Sequence, residues 1–94
     1  MSRVTAYKTD NVHLEVEFYE DMPWVHCTVN KWTKGTKQTL QTAMEDLADL
    51  LHEQGYKTIF AYIPEHRQKN KKFVKLFGFV NGGNDVWYRR EEWV

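Results

Sequence analysis

Apolar and polar side chains alternate along two early stretches of the chain. Between residues 13 and 19 every second residue is apolar, which is the period of a strand with one buried face. Residues 24–30 repeat the pattern and place Val25, Cys27 and Val29 on the apolar side, so we expect Cys27 to be a buried small side chain and not a nucleophile. The intervening turn, assigned to residues 20–23 because proline cannot donate to a strand ladder, predicts an antiparallel hairpin. Residues 4–8 predict a further short strand.

The apolar period then lengthens to three and four residues between Gln38 and Gln54, which predicts an amphipathic helix that ends at Gly55. Residues 57–63 are largely apolar, as in a central strand. A shorter helix is predicted over residues 68–77, and residues 79–81 and 86–90 predict a final hairpin across a Gly-Gly-Asn-Asp turn. The expected fold class is α+β, in the order β-β-β-α-β-α-β-β. Its sheet is mixed and mostly antiparallel, with one parallel crossover and two helices.

Composition narrows the class of protein. The chain has 94 residues, of which 41% are hydrophobic and 15% aromatic, so we expect one folded domain over residues 1–94 and not a disordered segment. Its single cysteine excludes an internal disulfide and a four-cysteine zinc site. The sequence shows neither the pattern of a secretory signal nor an apolar run long enough to span a membrane. We therefore expect a cytoplasmic protein with no membrane partner.

Charge is balanced over the chain but sorted along it. Thirteen basic and thirteen acidic residues give a net charge of zero, which argues against a nucleic-acid partner for the chain as a whole. The basic residues form two groups without acids, one of Lys31, Lys34 and Lys37, the other of Arg67, Lys69, Lys71, Lys72 and Lys75 after His66. Both groups lie near the start of a helix that follows a strand, where sheets bind ligands and helices favour anions. A phosphate-bearing ligand and a solvated basic surface are both compatible with this pattern.

Two stretches carry a resemblance to a known family. Residues 29–38, Val-Asn-Lys-Trp-Thr-Lys-Gly-Thr-Lys-Gln, lead into the long helix, and Pro64-Glu65-His66-Arg67 and Phe77-Gly78-Phe79-Val80 flank the second helix. With the order of elements, they resemble the GNAT superfamily of N-acetyltransferases over residues 12–90. The resemblance implies an acyl-CoA-dependent N-acetyltransferase or an acyl-CoA-binding protein, with acetyl-CoA as its cofactor. It implies that Val29 and Asn30 pair with the pantetheine arm, that Lys34, Gly35, Thr36, Lys37 and Gln38 hold the pyrophosphate, and that His66, Arg67 and Lys71 flank the phosphates or the adenine.

The chain departs from the family pattern at several positions. Lys37 and Thr39 stand where the pyrophosphate loop has small residues, and Val74 stands where many members carry a tyrosine as general acid. We also expect the strand and two helices with which the family normally begins to be absent or reduced. These departures favour an alternative, a non-catalytic GNAT-fold interaction protein similar to GNAT-like bacteriophage virion and head-assembly proteins, located in the host cytoplasm or the virion. A homodimer or a protein partner is then expected on a sheet face that the missing helices leave open.

Catalytic residues are less clearly indicated. Glu17 and His26, on the polar side of the first hairpin, are the candidates for a general base, and His13 and Glu15 share that side. Four such side chains allow a base or a metal ligand, but a solvated polar surface is the simpler interpretation, and no metal site is predicted. Nucleic-acid binding through the basic helix ranks third. It would use Trp87, Tyr88 and Trp93 as stacking groups, although Trp87 is expected in the core of the final hairpin.

Overall fold

The fold was analysed in a computed structural model, which describes residues 3–64, 71 and 74–90. Its elements are β1 (Arg3–Lys8), β2 (Val12–Tyr19), β3 (Met22–Val29), α1 (Lys34–Glu53), β4 (Thr58–Tyr62), β5 (Val80–Asn81) and β6 (Val86–Arg90). Lys71 and residues 74–76 are also helical and belong to a second helix between β4 and β5. The α+β class and the order of elements are those the sequence predicts. No helix in the described ranges is long and apolar enough to cross a membrane.

The six strands form one sheet in the order β1-β2-β3-β4-β6-β5. β3 and β4 run parallel, and every other neighbouring pair is antiparallel. The prediction of a mostly antiparallel sheet with one parallel crossover is therefore confirmed. α1 makes the crossover, so the C-terminal ends of β3 and β4 lie at the same edge of the sheet as the N-terminus of α1.

The core lies on one face of the sheet, which we call the helix face. Val12, Leu14 and Val16 point to this face from β2 and are buried against α1. The buried side chains of α1 recur every three or four residues and are Thr36, Leu40, Ala43, Met44, Leu47, Ala48 and Leu51. Ile59, Ala61 and Trp87 extend the same cluster across β4 and β6. The predicted amphipathic face of the long helix and the core position of Trp87 are confirmed.

The opposite face, here called the open face, carries the other half of each strand. Opposed residues on antiparallel strands share a face, so the register places the side chains of Glu17, Trp24, His26, Phe60 and Tyr88 on this side. No helix within the described residues packs against it. Trp24 and Phe60 stack across the parallel pair with ring centroids 5.0 Å apart, so the centre of the open face is aromatic.

The first hairpin turn is shorter than the sequence predicts. The turn was assigned to residues 20–23, but β3 already begins at Met22 and contains a buried Pro23. Glu20 and Asp21 have φ angles of 51° and 63°, so they form the tight two-residue turn that matches strand twist. Pro23 has no N–H to donate to a neighbouring strand. β3 pairs with β4 only from Trp24 onward, so no hydrogen bond from Pro23 to β4 is needed.

The long helix begins at Lys34, one turn before the predicted Gln38. Its first turn contains no buried apolar side chain, so hydrophobic periodicity does not detect it. Thr33 and Thr36 instead form a capping box that starts the helix. At the other end Gly55, with φ of 96°, closes the helix as predicted, and Tyr56 donates its N–H to the Leu51 carbonyl at 3.0 Å.

Candidate functional site

The parallel strands β3 and β4 separate toward their C-terminal ends. They pair only at Trp24–Phe60 and Val25–Ala61, and β3 then continues to Val29 with no partner on β4 in the described part of the chain. The Ile63 N–H turns the other way and donates to the Asp85 carbonyl at 2.8 Å, beside β6. The separation opens a cleft of about 480 Å³, which we call the β3–β4 wedge.

Polar and apolar surface line the wedge in similar measure, beside a stretch of β3 that does not pair with β4 in the described structure. Its apolar walls are Val25, Cys27, Val29, Trp32, Ala61, Ile63, Pro64 and Val74, and Arg3, His26, Thr28 and Tyr62 complete it. Along residues 26–29, one side of the β3 backbone pairs with β2, and the side toward β4 has no ladder partner among the described residues. Unpaired peptide groups along a cleft with apolar walls on part of its surface can bind an extended chain that carries amides of its own.

The loop from β3 to α1 is held at the edge of the wedge by side-chain hydrogen bonds. The Thr36 hydroxyl is buried, accepts the Thr33 N–H at 3.0 Å and lies 2.9 Å from the Thr33 hydroxyl. Asn11, in the turn between β1 and β2, donates to the Lys31 carbonyl and accepts the Lys31 N–H, both at 2.6 Å. These bonds fix the start of α1 relative to the sheet before any ligand is present.

The first turn of α1 has a charge pattern suited to an anion. Lys34 and Lys37 are exposed there, and the turn contains no acidic residue. Cations are unfavourable at a helix N-terminus, so this pattern costs the free helix stability unless an anion binds. A methyl group on Gly35 would meet no atom within 4 Å, so packing does not require glycine at this position. Its absence of a side chain leaves the backbone open to a close approach.

The structure brings the two candidates for a general base together on the open face. His26 Nε2 lies 2.9 Å from Glu17 Oε1, and Arg3 Nε lies 3.7 Å from the same oxygen. Both members of the pair are partly shielded from solvent, and His26 also lines the wedge. An imidazole oriented by a carboxylate is a common arrangement for moving a proton, so this pair is the most plausible acid–base group of the wedge.

The other histidine of the hairpin has a different environment. His13 lies opposite Thr28 in the register, and its Nε2 is 2.9 Å from the Thr5 hydroxyl. Its Nδ1 is 3.8 Å from Glu15, which Arg3 also approaches at 3.7 Å. No cluster of three or more possible metal ligands occurs in the described part of the chain. Each histidine thus lies close to one glutamate, and Arg3 on β1 lies 3.7 Å from both glutamates.

The prediction that Cys27 is buried is wrong. Alternation places it on the helix face opposite Leu14, but the residue is exposed because β4 has separated from β3 at this level. The surface of the residue opens into the wedge, while the packed walls around the sulfur desolvate it and raise the pKa of the thiol to about 11. At neutral pH the thiol therefore remains protonated, and the expectation that Cys27 is not a nucleophile keeps a physical basis.

The residues that the resemblance assigned to the cofactor are spread around this edge. Val29 lines the wedge, and residues 34–38 form the first turn of α1 rather than a loop before it. Asn30 turns toward the β1–β2 turn, where its N–H donates to the Asn11 carbonyl at 2.9 Å. Lys71 is half-buried and lies one helical turn before Val74, a wall of the wedge. His66 and Arg67 lie outside the described residues.

Sequence reasoning missed two residues of this site. Asn11 fixes the β3–α1 loop from twenty positions earlier in the chain, and no local pattern indicates that contact. Trp32 lies on the wedge with about half of its surface exposed. A large aromatic side chain between lysines, in a loop that precedes a helix, is a signal that could have identified it.

No family model matches the chain, and no curated protein is significantly similar to it in sequence.

Proposed function

We propose that this protein binds an acyl-CoA, with acetyl-CoA as the expected form, and transfers the acyl group to an amine. One observation carries the proposal. The two parallel strands separate after Val25–Ala61, directly beside a helix N-terminus whose first turn is cationic. The wedge offers a slot for an extended arm, and the helix offers a site for phosphates.

The slot suits pantetheine in both shape and hydrogen bonding. Pantetheine is a thin chain with two amides, and the β3 backbone beyond Val25 presents peptide groups without a strand partner in the described structure. The apolar walls from Val29, Ile63 and Val74 suit its methylene and dimethyl groups. The pyrophosphate would then lie at the first turn of α1, near Lys34 and Lys37, with Gly35 allowing backbone contact.

The transfer step requires little covalent chemistry from the protein. Acyl-CoA supplies a thioester whose carbonyl carbon an amine attacks, forming a C–N bond as the C–S bond breaks. His26, held by Glu17 at 2.9 Å, takes the proton that the amine loses. Val74 cannot donate a proton to the departing thiolate, so that proton comes from solvent. The raised pKa of Cys27 disfavours an acyl-cysteine intermediate, which leaves direct attack by the amine.

Calorimetric titration of acetyl-CoA tests the binding step. We expect saturable binding to the wild-type protein and a loss of about tenfold or more in affinity for Lys34→Ala/Lys37→Ala, since each lysine contributes a charge-assisted contact. Lys57→Ala is the matched control. Lys57 is exposed and precedes β4, so it lies at the N-terminal end of this strand, whereas the wedge lies at the C-terminal end. No heat at millimolar acetyl-CoA with the wild-type protein would refute the proposal. Equal losses in both variants would refute the assigned phosphate position.

A second measurement separates transfer from binding alone. Thiol release from acetyl-CoA is followed in the presence of a panel of small amines and lysine peptides, with wild type and Glu17→Gln compared. We expect Glu17→Gln to lower the rate while acetyl-CoA affinity stays within about twofold, because Glu17 orients His26 and does not line the wedge. Binding without amine-dependent thiol release from any acceptor would leave an acyl-CoA-binding protein and remove the catalytic part.

A non-catalytic interaction protein is the second candidate, and the open face favours it. This face carries the stacked, half-buried Trp24–Phe60 pair and a Tyr62 that is more than half accessible. If a partner covers this face, Tyr62→Asp should abolish a co-purifying complex or a dimer seen by light scattering. A strict monomer that retains no partner would contradict this alternative.

A further inference from the structure

A second cleft lies at the far edge of the sheet, between the edge strand β1 and α1. It has a volume of about 340 Å³, and we call it the β1–α1 groove. Its apolar lining is formed by Val4, Ala6, Tyr7, Val16, Phe18, Ala43, Leu47, Leu50 and Leu51. Val4 and Leu50 are 54% and 51% exposed, so the groove opens an apolar strip to solvent beside a strand with one unpaired edge.

One rim of the groove is acidic. Asp46, Asp49 and Glu53 follow one another at helical spacing on the same side of α1 as Leu50, and Asp46 lines the groove. Glu45, by contrast, is paired with Arg89 at 3.0 Å. The three rim carboxylates have no ion-pair partner in the part of the chain that the structure describes. Glu53 also lies in the last turn of α1, where the helix dipole makes negative charge unfavourable.

The opposite edge of the molecule carries cationic and apolar side chains that complement the acidic, apolar groove. Lys75 and Leu76 lie on the second helix, next to β5, and Leu76 is 52% exposed. The ammonium group of Lys75 lies 5.8 Å from the centre of the Trp87 ring, which holds this cation at the surface. Lys71 adds a second cation one turn earlier. We call these three residues the basic end.

The sheet order prevents the two surfaces from meeting within one molecule. β1 forms one edge of the sheet and β5 forms the other, with four strands between them. We propose that the basic end of one copy of this chain docks in the β1–α1 groove of a second copy. Leu76 would contact the apolar strip, and Lys75 would pair with the rim carboxylates. The contact joins different surfaces on its two sides, so it can repeat head to tail into a ring or an open chain.

Two charge-reversal variants test this contact without changing the wedge. Asp46→Lys/Asp49→Lys alters only the groove, and Lys75→Glu/Leu76→Glu alters only the basic end; all four residues are solvent-exposed. Light scattering over a range of concentrations measures the average mass. We expect the wild-type mass to rise with concentration, because small interfaces are weak. Each variant alone should need at least about tenfold more protein for the same rise. An equimolar mixture should recover association, because the groove variant keeps a native basic end and the basic-end variant keeps a native groove.

Several outcomes would overturn the proposal. A wild-type protein that stays monomeric at every concentration removes the contact itself. Normal association of the basic-end variant points to an interface in which the groove faces another groove, and a mixture that fails to recover removes the contact between groove and basic end. Circular dichroism and the unfolding midpoint verify that both variants fold. If one does not, the single changes Glu53→Lys and Lys75→Glu replace the pairs. Tyr62→Asp, on the open face, should leave this association unchanged, which separates it from the interaction described above.

Discussion

The two ends of α1 carry charges of opposite sign, and at each end the sign is the one that the helix dipole disfavours. Lys34 and Lys37 lie in the first turn, whereas Asp49 and Glu53 lie in the last two turns, where His52 is the one basic side chain. Charges placed only for helix stability would have the reverse order. The comparison therefore indicates that each end of the helix is suited to a charged partner from outside, an anion at the first turn and a cation at the last.

The two ends also differ in how they are fixed. Side chains hold the first turn, through the buried Thr36 hydroxyl and the contacts of Asn11 with the β3–α1 loop. Backbone hydrogen bonds hold the last turn, through Gly55 and the bond from Tyr56 to Leu51. A side-chain network that orders a loop next to a cleft favours a pre-organised ligand site. A backbone cap beside an open groove favours only a surface for docking.

The largest effect that we expect is on the alkylation rate of Cys27, which lines the wedge beside the first turn of α1. The folded protein should alkylate with iodoacetamide along a pH profile with a midpoint near 11, whereas the unfolded chain should follow the ordinary value of 9.0. The raised pKa means that the folded state keeps the proton, so near pH 8 the folded protein should react roughly 10- to 100-fold more slowly than the chain in urea.

Adding acetyl-CoA tests whether the alkylation rate of Cys27 depends on occupancy of the wedge. A ligand in the cleft should slow alkylation of Cys27 further, because the thiol lines that cleft. The two variants of the β1–α1 groove and the basic end should show the same rates as wild type. A folded rate equal to that of the unfolded chain would contradict the desolvated position of the thiol.

The next effect tests the side-chain network at the first turn. Thr36→Val keeps the shape of a buried residue but removes the hydroxyl that accepts the Thr33 N–H. We expect a loss of about 1–2 kcal/mol in the free energy of unfolding by urea, since a cap is lost and a donor is left unpaired. Thr42→Val, at an exposed position of the same helix, should change stability by less than about 0.5 kcal/mol. Equal losses in both variants would show that the cap contributes nothing beyond helix propensity.

The same comparison shows which parts of the fold can be predicted from sequence. The middle of α1 can be predicted, because Leu40, Leu47 and Leu51 recur at helical spacing and are buried. The first turn cannot, because its stabilising groups are hydroxyls, and a Thr-x-x-Thr pair lacks the usual glutamate of a capping box. The α+β class and the strand order along the chain follow from periods of two and of three to four residues, and these the structure confirms.

The wedge shows a second limit of sequence reasoning. Alternation along β3 identifies the side to which Cys27 points, but not whether a neighbouring strand covers it. That depends on where β3 and β4 stop pairing, which is a property of the register between segments more than thirty residues apart. The polar partners Glu17 and His26 are readable as one face of a hairpin, yet their 2.9 Å contact is diagonal and depends on side-chain rotamers.

Replacing glycine with alanine should have a smaller effect on stability, of opposite sign at the two ends of α1. Gly55 has φ of 96°, so Gly55→Ala should lower the free energy of unfolding by about 1 kcal/mol. Gly35 lies in a helical turn with open space around it, so Gly35→Ala should raise it by up to about 0.5–1 kcal/mol through helix propensity. Urea unfolding measures both. The stabilised Gly35→Ala protein should bind acetyl-CoA less tightly, and unchanged affinity would remove the role we give to backbone contact at this position.

The smallest effect addresses the charges themselves. Lys37→Glu and Glu53→Lys each replace an unfavourable charge with a favourable one at opposite ends of α1. Each should raise the free energy of unfolding by about 0.3–1 kcal/mol at low salt, and most of the gain should disappear near 1 M salt, where exposed charges are screened. Thermal unfolding at low protein concentration measures the effect without association, and Lys37→Gln should give an intermediate value. If the reversals destabilise the protein, or if salt leaves their effects unchanged, the native charges serve the helix itself. Gains that salt removes would show that both ends of α1 give up stability, as expected of surfaces that a phosphate group and a second copy of the chain occupy.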